Sequence, residues 1–213
     1  MKIDFVSDVS CPWCAIGLTA LEQALARVAP EITAQLHFQP FELNPKMAAE
    51  GQEIVEHLGQ KYGIDAKQIA ANTEAIRQRG ASVGFTFGIG KRSRIYNTFN
   101  AHRLLHWAGL QGEAAQRSLK HALLKAYFTD GQNPSDNAVL LAAAGAAGLD
   151  VEAARQVLAG DEFAAEVRQA EAFYQQQGIH AVPAVIINDR HLISGGQPVE
   201  VFEQALRQIA AEA

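Results

Sequence analysis

The chain's only two cysteines, Cys11 and Cys14, lie in the segment SCPWCAIG, Ser10 to Gly17. Thiols at this spacing can complete a metal site, lock a structural bridge or cycle as a redox pair. A zinc site needs three or four ligands, normally a second such pair or a nearby histidine pair. There is no third cysteine, and His102 and His106, four residues apart, are of a type that more often packs or faces solvent. No metal is expected. With 213 residues the chain can bury a core without a disulfide.

A redox pair has its own requirements, and this stretch meets them. At the start of a helix, unpaired backbone N–H groups and the positive end of the helix dipole stabilise a thiolate on Cys11. Two intervening residues return the second sulfur to disulfide reach, so Cys14 is expected to resolve a mixed disulfide formed on Cys11. Pro12 suits the first helical turn, where its missing N–H costs nothing. Ser10 and Trp13 flank the thiols. Helix physics does not explain Trp13, which reads equally as an apolar lip beside the sulfur or as a packing residue.

Such a pair has to be held by a strand on one side and a helix on the other. KIDFVS, Lys2 to Ser7, alternates with the period of a half-buried strand, and AIGLTALEQALARVAP follows with Ile16, Leu18, Leu21, Leu25 and Val28 at helical spacing until Pro30. Thr33 to Leu43 reads as a second strand, so the cysteines fall at the C-terminal end of the first strand of a parallel strand–helix–strand unit. From about Gly51 to Gly178 the pattern is helical. Helices are expected near 53–62, 65–80, 96–108, 112–128, 137–147, 151–159 and 161–178. Strands at Ala184–Ile187 and His191–Ser194, turned at Asn188-Asp189, precede a final amphipathic helix from about Pro198. The expected organisation is an α/β fold in two parts: residues 1–50 with 179–213, and a helical insertion over 51–178.

Composition narrows the partners. A formal net charge of -5 with acids and bases interleaved leaves no broad basic surface for nucleic acid. Lys91, Arg92 and Arg94 read as a solvated loop. No apolar run is long enough to cross a membrane, and Asp4 and Asp8 interrupt what a secretory leader would require, so a cytoplasmic location is expected. Thiols there are kept reduced, which favours a working pair over a structural bridge.

Through SDVSCPWCAIG, FQPFELNP, YNTFNAHRLLHWA, LLKAYFTDGQN and GIHAVPAVIINDRHLISGGQP, the chain resembles the DsbA-like thioredoxin-fold family, specifically its FrnE-type branch. The resemblance implies a thioredoxin fold carrying inserted helices and thiol–disulfide oxidoreductase activity. It also implies Cys11 as nucleophile, Cys14 as resolving cysteine, and a cis peptide between Val182 and Pro183 in a loop facing the sulfurs. Val182 would then offer extended backbone to a substrate strand. Phe41, Asn44, Asn97, Asn100 and His102 are candidates for lining the substrate groove. No cofactor is required. The expected partners are protein or small-molecule thiols and disulfides, with glutathione a candidate reductant or bound ligand. Related 2-hydroxychromene-2-carboxylate isomerases and kappa-class glutathione transferases typically carry serine where this chain has Cys11. Glutathione-dependent isomerase or transferase chemistry and a redox-independent chaperone-like role remain the alternatives, and the direction of electron flow is open.

Overall fold

A computed structural model describes residues 1–48 and 50–212. The chain opens with β1 (Lys2–Ser7), α1 (Pro12–Val28) and β2 (Gln35–Pro40). β1 and β2 pair in parallel, with Phe5 opposite Phe38 and Ser7 opposite Pro40. After the helices described below, β5 (Ala184–Ile187) returns antiparallel to β1 and continues into β6 (His191–Ser194), giving the order β2-β1-β5-β6. Asn188 and Asp189, both at positive φ, turn the hairpin through a connection that also includes Arg190.

β1 is buried from Ile3 to Ser7 because it is a central strand covered on both faces. Phe5 and Phe38 meet edge-to-face across the β1–β2 pair, 6.0 Å between centroids. Helix α1 is buried over consecutive positions, Cys14 to Leu18, rather than along one stripe. It lies between the final helix α9 (Val199–Ala211) and α3 (Ala66–Ser82), and a helix covered on several sides must be apolar on several sides.

The insertion between β2 and β5 comprises β3 (Gln52–Glu53), α2 (Ile54–Tyr62), α3, β4 (Arg94–Ile95), α4 (Phe99–Leu110), α5 (Glu113–Leu124), α6 (Asn137–Ala146), α7 (Val151–Ala159) and α8 (Ala164–Gln176). Two differences from the sequence expectation have physical causes. The helix expected over 112–128 changes at Lys125–Thr129 into a π-helical turn, which places Tyr127 and Phe128 side by side in the core. Helix α8 starts three residues late because Phe163 adopts a left-handed conformation at its N-cap.

The inserted helices share the sheet's core: Val83, Leu124, Tyr127 and Phe128 pack in one cluster with Phe5, Ile16, Leu36 and Val185. A second cluster joins α4 to α7, with Leu104, Leu119, Leu140 and Val157 among its members. Gln116 of α5 docks the insertion to the outer strand, its amide accepting from Phe38 N at 3.0 Å and donating to Phe38 O at 3.1 Å. Arg92 and Arg94 are not a solvated pair. Arg92 lies over the rings of Tyr127 and Phe128, and Arg94 donates to the carbonyls of Glu50 and Gly51.

Candidate active site

Cys11 is the N-cap of α1, in extended conformation, and Pro12 begins the helix. Its carbonyl accepts from Cys14 N at 3.1 Å and Ala15 N at 3.4 Å, while its own N–H donates to Asp8 O at 3.2 Å. The first turn therefore closes on the Cys11 backbone. Its side chain makes no cap bond; instead the thiol donates to the carbonyl of Val182 at 3.6 Å. The sulfur is less exposed than the sequence suggests, with Cys11 only 3% accessible, whereas Trp13 is 41% exposed and stands at the rim.

Cys14 is fully buried one turn behind. Burial pushes its thiol well above the ordinary range, helped by the hydrogen bond and charge of Cys11; the charge of Lys120 opposes the shift. Both cysteines are free thiols.

The Val182–Pro183 peptide is cis. Pro183 O accepts from Gly195 N at 2.8 Å, which ties the loop to β6. Two glycines allow this packing. A Cβ on Gly17 would lie 3.1 Å from Gly196 Cα and 3.2 Å from Pro183 Cγ, and one on Gly196 would meet Trp13 O at 2.9 Å. The α1 backbone, the proline loop and the β6–α9 connection thus approach more closely than side chains would permit.

A buried carboxylate stands just ahead of the cysteine pair, on Asp8, the residue whose carbonyl accepts from Cys11 N. Asp8 is fully buried and accepts from Ser10 N at 3.1 Å, Ser10 Oγ at 2.9 Å and Leu43 N at 2.7 Å. His102 Nε2 stands 3.5 Å from its Oδ1. Burial acts to raise the Asp8 pKa, but His102 and the amides of Leu43 and Ser10 outweigh it and hold the carboxyl at about 2. Lys120, from α5, is also fully buried, and its ammonium has no hydrogen-bond partner among the described residues. From α2, Tyr62 lies near enough to Cys11 for the thiolate charge to add to the effect of burial in raising its pKa. A polar residue just ahead of the cysteine pair was the sequence signal for Asp8; Lys120 and Tyr62 gave none.

The remaining groove candidates are tied into local structure. Phe41 packs with Val6, Tyr174 and Ile179. Asn44 Oδ1 is bonded to His57 Nε2 and Lys61 Nζ. Asn97 donates to Glu42 and accepts from Phe99 N, and Asn100 accepts from Arg103. Of this set, His102 is the one placed against the buried carboxylate behind the thiols. His102 and Lys120 both line a cavity of about 200 Å³ between α4, α5 and β2. Among the described residues, no cluster of three or more His, Cys, Asp or Glu side chains could hold a metal, and no helix is long and apolar enough to cross a membrane.

A parallel β1–α1–β2 unit continued by an antiparallel hairpin, with a cysteine pair at the head of α1 opposite a proline loop, defines a thioredoxin-fold domain with a helical insertion. The chain belongs to the DSBA-like thioredoxin domain family, whose model matches residues 2–207. It is 33% identical to a chain described as a probable DsbA oxidoreductase from Streptomyces coelicolor, with a TM-score of 0.92 over 100% of this chain and 91% of that one. A Bacillus subtilis protein of uncharacterised function, YwbO, is 26% identical over 97% of this chain and 96% of its own length. The fold is also shared with cytosolic disulfide reductase DsbM from Pseudomonas aeruginosa, solved with GSH, at 14% identity and a TM-score of 0.68 over 99% of this chain and 100% of that one.

Proposed function

We propose that this protein is a thiol–disulfide oxidoreductase cycling between a Cys11/Cys14 dithiol and the corresponding disulfide. The observation that carries this reading is the pair of free thiols at the head of α1, with Cys11 at the helix N-cap under the Val182 carbonyl and Cys14 buried behind it. In the reducing direction the Cys11 thiolate attacks one sulfur of a substrate disulfide, forming a mixed disulfide and releasing the first substrate thiolate. Cys14 then gives up its proton and attacks Cys11 Sγ. The Cys11–Cys14 bond forms, the bond to substrate breaks, and the second substrate thiolate leaves. The substrate gains two electrons and the pair loses them; oxidation of a substrate dithiol runs the same steps backwards.

In the dithiol the Val182 carbonyl is already engaged by Cys11. Substrate backbone pairing at this loop therefore begins once Cys11 loses its proton to become the attacking thiolate and frees that acceptor. The substrates are protein or small-molecule thiols and disulfides, and glutathione is the candidate reductant in a reducing, cytoplasmic setting. Phe41, Asn44, Asn97 and Asn100 act in this reading by shaping the wall behind the site through their packing and hydrogen bonds.

The test is substitution of Cys11 with Ser, assayed for insulin reduction and for refolding of a scrambled disulfide substrate. Both activities are expected to vanish. Retention of both in the variant would falsify the redox reading and favour a binding or chaperone-like role.

A further inference from the structure

A cavity of about 440 Å³ opens between α2, α3 and the 87–93 segment that leads into β4. That size suits a small molecule, and small-molecule pockets are mostly apolar with a few placed polar groups. Ile54, Ile69, Phe87 and Phe128 form its walls, and Val55 and Ile89, which also line it, are large apolar side chains left exposed to water. Exposed apolar surface gathered at one concavity marks a binding site. The walls are held in place by the fold itself. Phe85 N donates to Gly80 O and Gly88 N to Phe128 O, both at 2.9 Å. Phe87 lies so close to α3 that a Cβ on Gly80 would stand 2.4 Å from its ring, and it meets Phe128 edge-to-face with 5.3 Å between centroids.

Among the described residues, four charged side chains line the cavity, and three are already engaged. Arg77 donates twice to Glu74, at 2.7 Å each, and Glu53 accepts from Glu56 N as the cap of α2. Arg92 is the exception. Its guanidinium carbon lies 5.2 Å from the Tyr127 ring centroid and 5.0 Å from that of Phe128, and it pairs with no carboxylate among the described residues. Both rings belong to the π-helical turn at Lys125–Thr129. A guanidinium resting its face on aromatic rings keeps its N–H groups in the plane of the fork, free to receive a carboxylate through two parallel bonds.

We propose that this cavity binds a small amphipathic carboxylate, with its acid group on Arg92 and its aliphatic body along Ile54, Ile69 and Phe87. The unpaired guanidinium selects the anion and the apolar walls select the body. A small anion alone would leave those walls wet, and an uncharged alcohol would leave Arg92 without its partner. Cys11, Cys14, Val182 and Pro183 are not among the residues that line the cavity, so the assignment stands independently of the redox reading.

The probes are octanoate, octanol and acetate, titrated at pH 7 and followed through the backbone amide resonances of ¹⁵N-labelled protein. Octanoate is expected to bind saturably, with a dissociation constant of about 1 mM or below, and to shift Ile69, Gly88 and Arg92 most. Octanol and acetate are each expected to bind at least tenfold more weakly. Arg92→Met is expected to weaken octanoate at least tenfold, to the level of octanol. Ala70→Trp, which fills the cavity from an exposed position on α3, is expected to block both. No saturable binding, shifts centred elsewhere, or octanol and octanoate binding alike overturns the assignment. So does native affinity in either variant, and Ala70→Trp keeps the question decidable should loss of the guanidinium unfold the 87–93 segment.

Discussion

The Cys11 thiol and the Val182 carbonyl, 171 residues apart in the chain, are joined by a 3.6 Å contact that ties the head of α1 to the proline loop. The cost of bringing distant segments together grows slowly with their separation and is met here by the shared β1–β5 ladder, which registers Phe5 against Val185 and Val6 against Ala184. The donor in this contact exists only while Cys11 is protonated.

That asymmetry predicts the order of alkylation. Cys14 is fully buried and its thiol is pushed up by that burial, whereas Cys11 stands at the helix mouth. Iodoacetamide at neutral pH is expected to modify Cys11 at least tenfold faster than Cys14, as read by peptide mass spectrometry. Equal labelling would count against the assigned roles.

Asp8 predicts a pH dependence of stability. Its folded pKa of about 2 lies below its unfolded value near 3.8, so its contribution is complete above about pH 4 and is lost as pH falls toward 2. The shift is worth roughly 2 kcal/mol by linkage. Urea titrations from pH 7 to pH 2 should show the native protein losing its advantage over Asp8→Asn across this window. A constant difference down to pH 2 would contradict the account.

Gly196→Ala places a methyl carbon 2.9 Å from the Trp13 carbonyl oxygen, a backbone atom that cannot swing aside. Overpacking of this kind costs roughly 1–3 kcal/mol. Thermal unfolding is expected to fall by several degrees, with faster alkylation of Cys11 as the proline loop is pushed away. A variant with native melting temperature and native alkylation rate would show that this contact relaxes freely.

Arg103, buried on α4, donates to the carbonyls of Val157, Gly160 and Glu162 and so holds the end of α7 and the turn after it. Arg103→Met fills similar space but leaves these acceptors unsatisfied. A loss of about 3 kcal/mol is expected in denaturant unfolding, with the α7–α8 connection becoming the first segment to exchange its amide hydrogens.

The sheet was legible in the sequence because its signals are local. Period-two alternation and turn residues located β1, β5 and β6 at their observed bounds, and Asp150 ahead of Val151 marks α7, capping it through the N–H groups of Glu152 and Ala153. The π-helical turn at Lys125–Thr129 was not legible, since AYF fits a continuing α-helix equally well and tertiary burial of adjacent aromatics decides between them. Nor was the short β3–β4 ladder, where Gln52 and Glu53 pair with Ile95 and Arg94 across forty residues. The site divides in the same way. Spacing exposed Cys11 and Cys14, but whether a charged residue such as Lys120 faces water or is fully buried depends on helix packing that no local pattern records.

The Gln116 amide, bonded to both backbone groups of Phe38, has a consequence beyond docking the insertion. It behaves as a one-residue strand laid along the outer margin of β2, satisfying groups that would otherwise recruit extended chain from a neighbouring molecule. Closed at this point, β2 does not offer its margin to extended chain from a neighbouring molecule or from a second copy of this one.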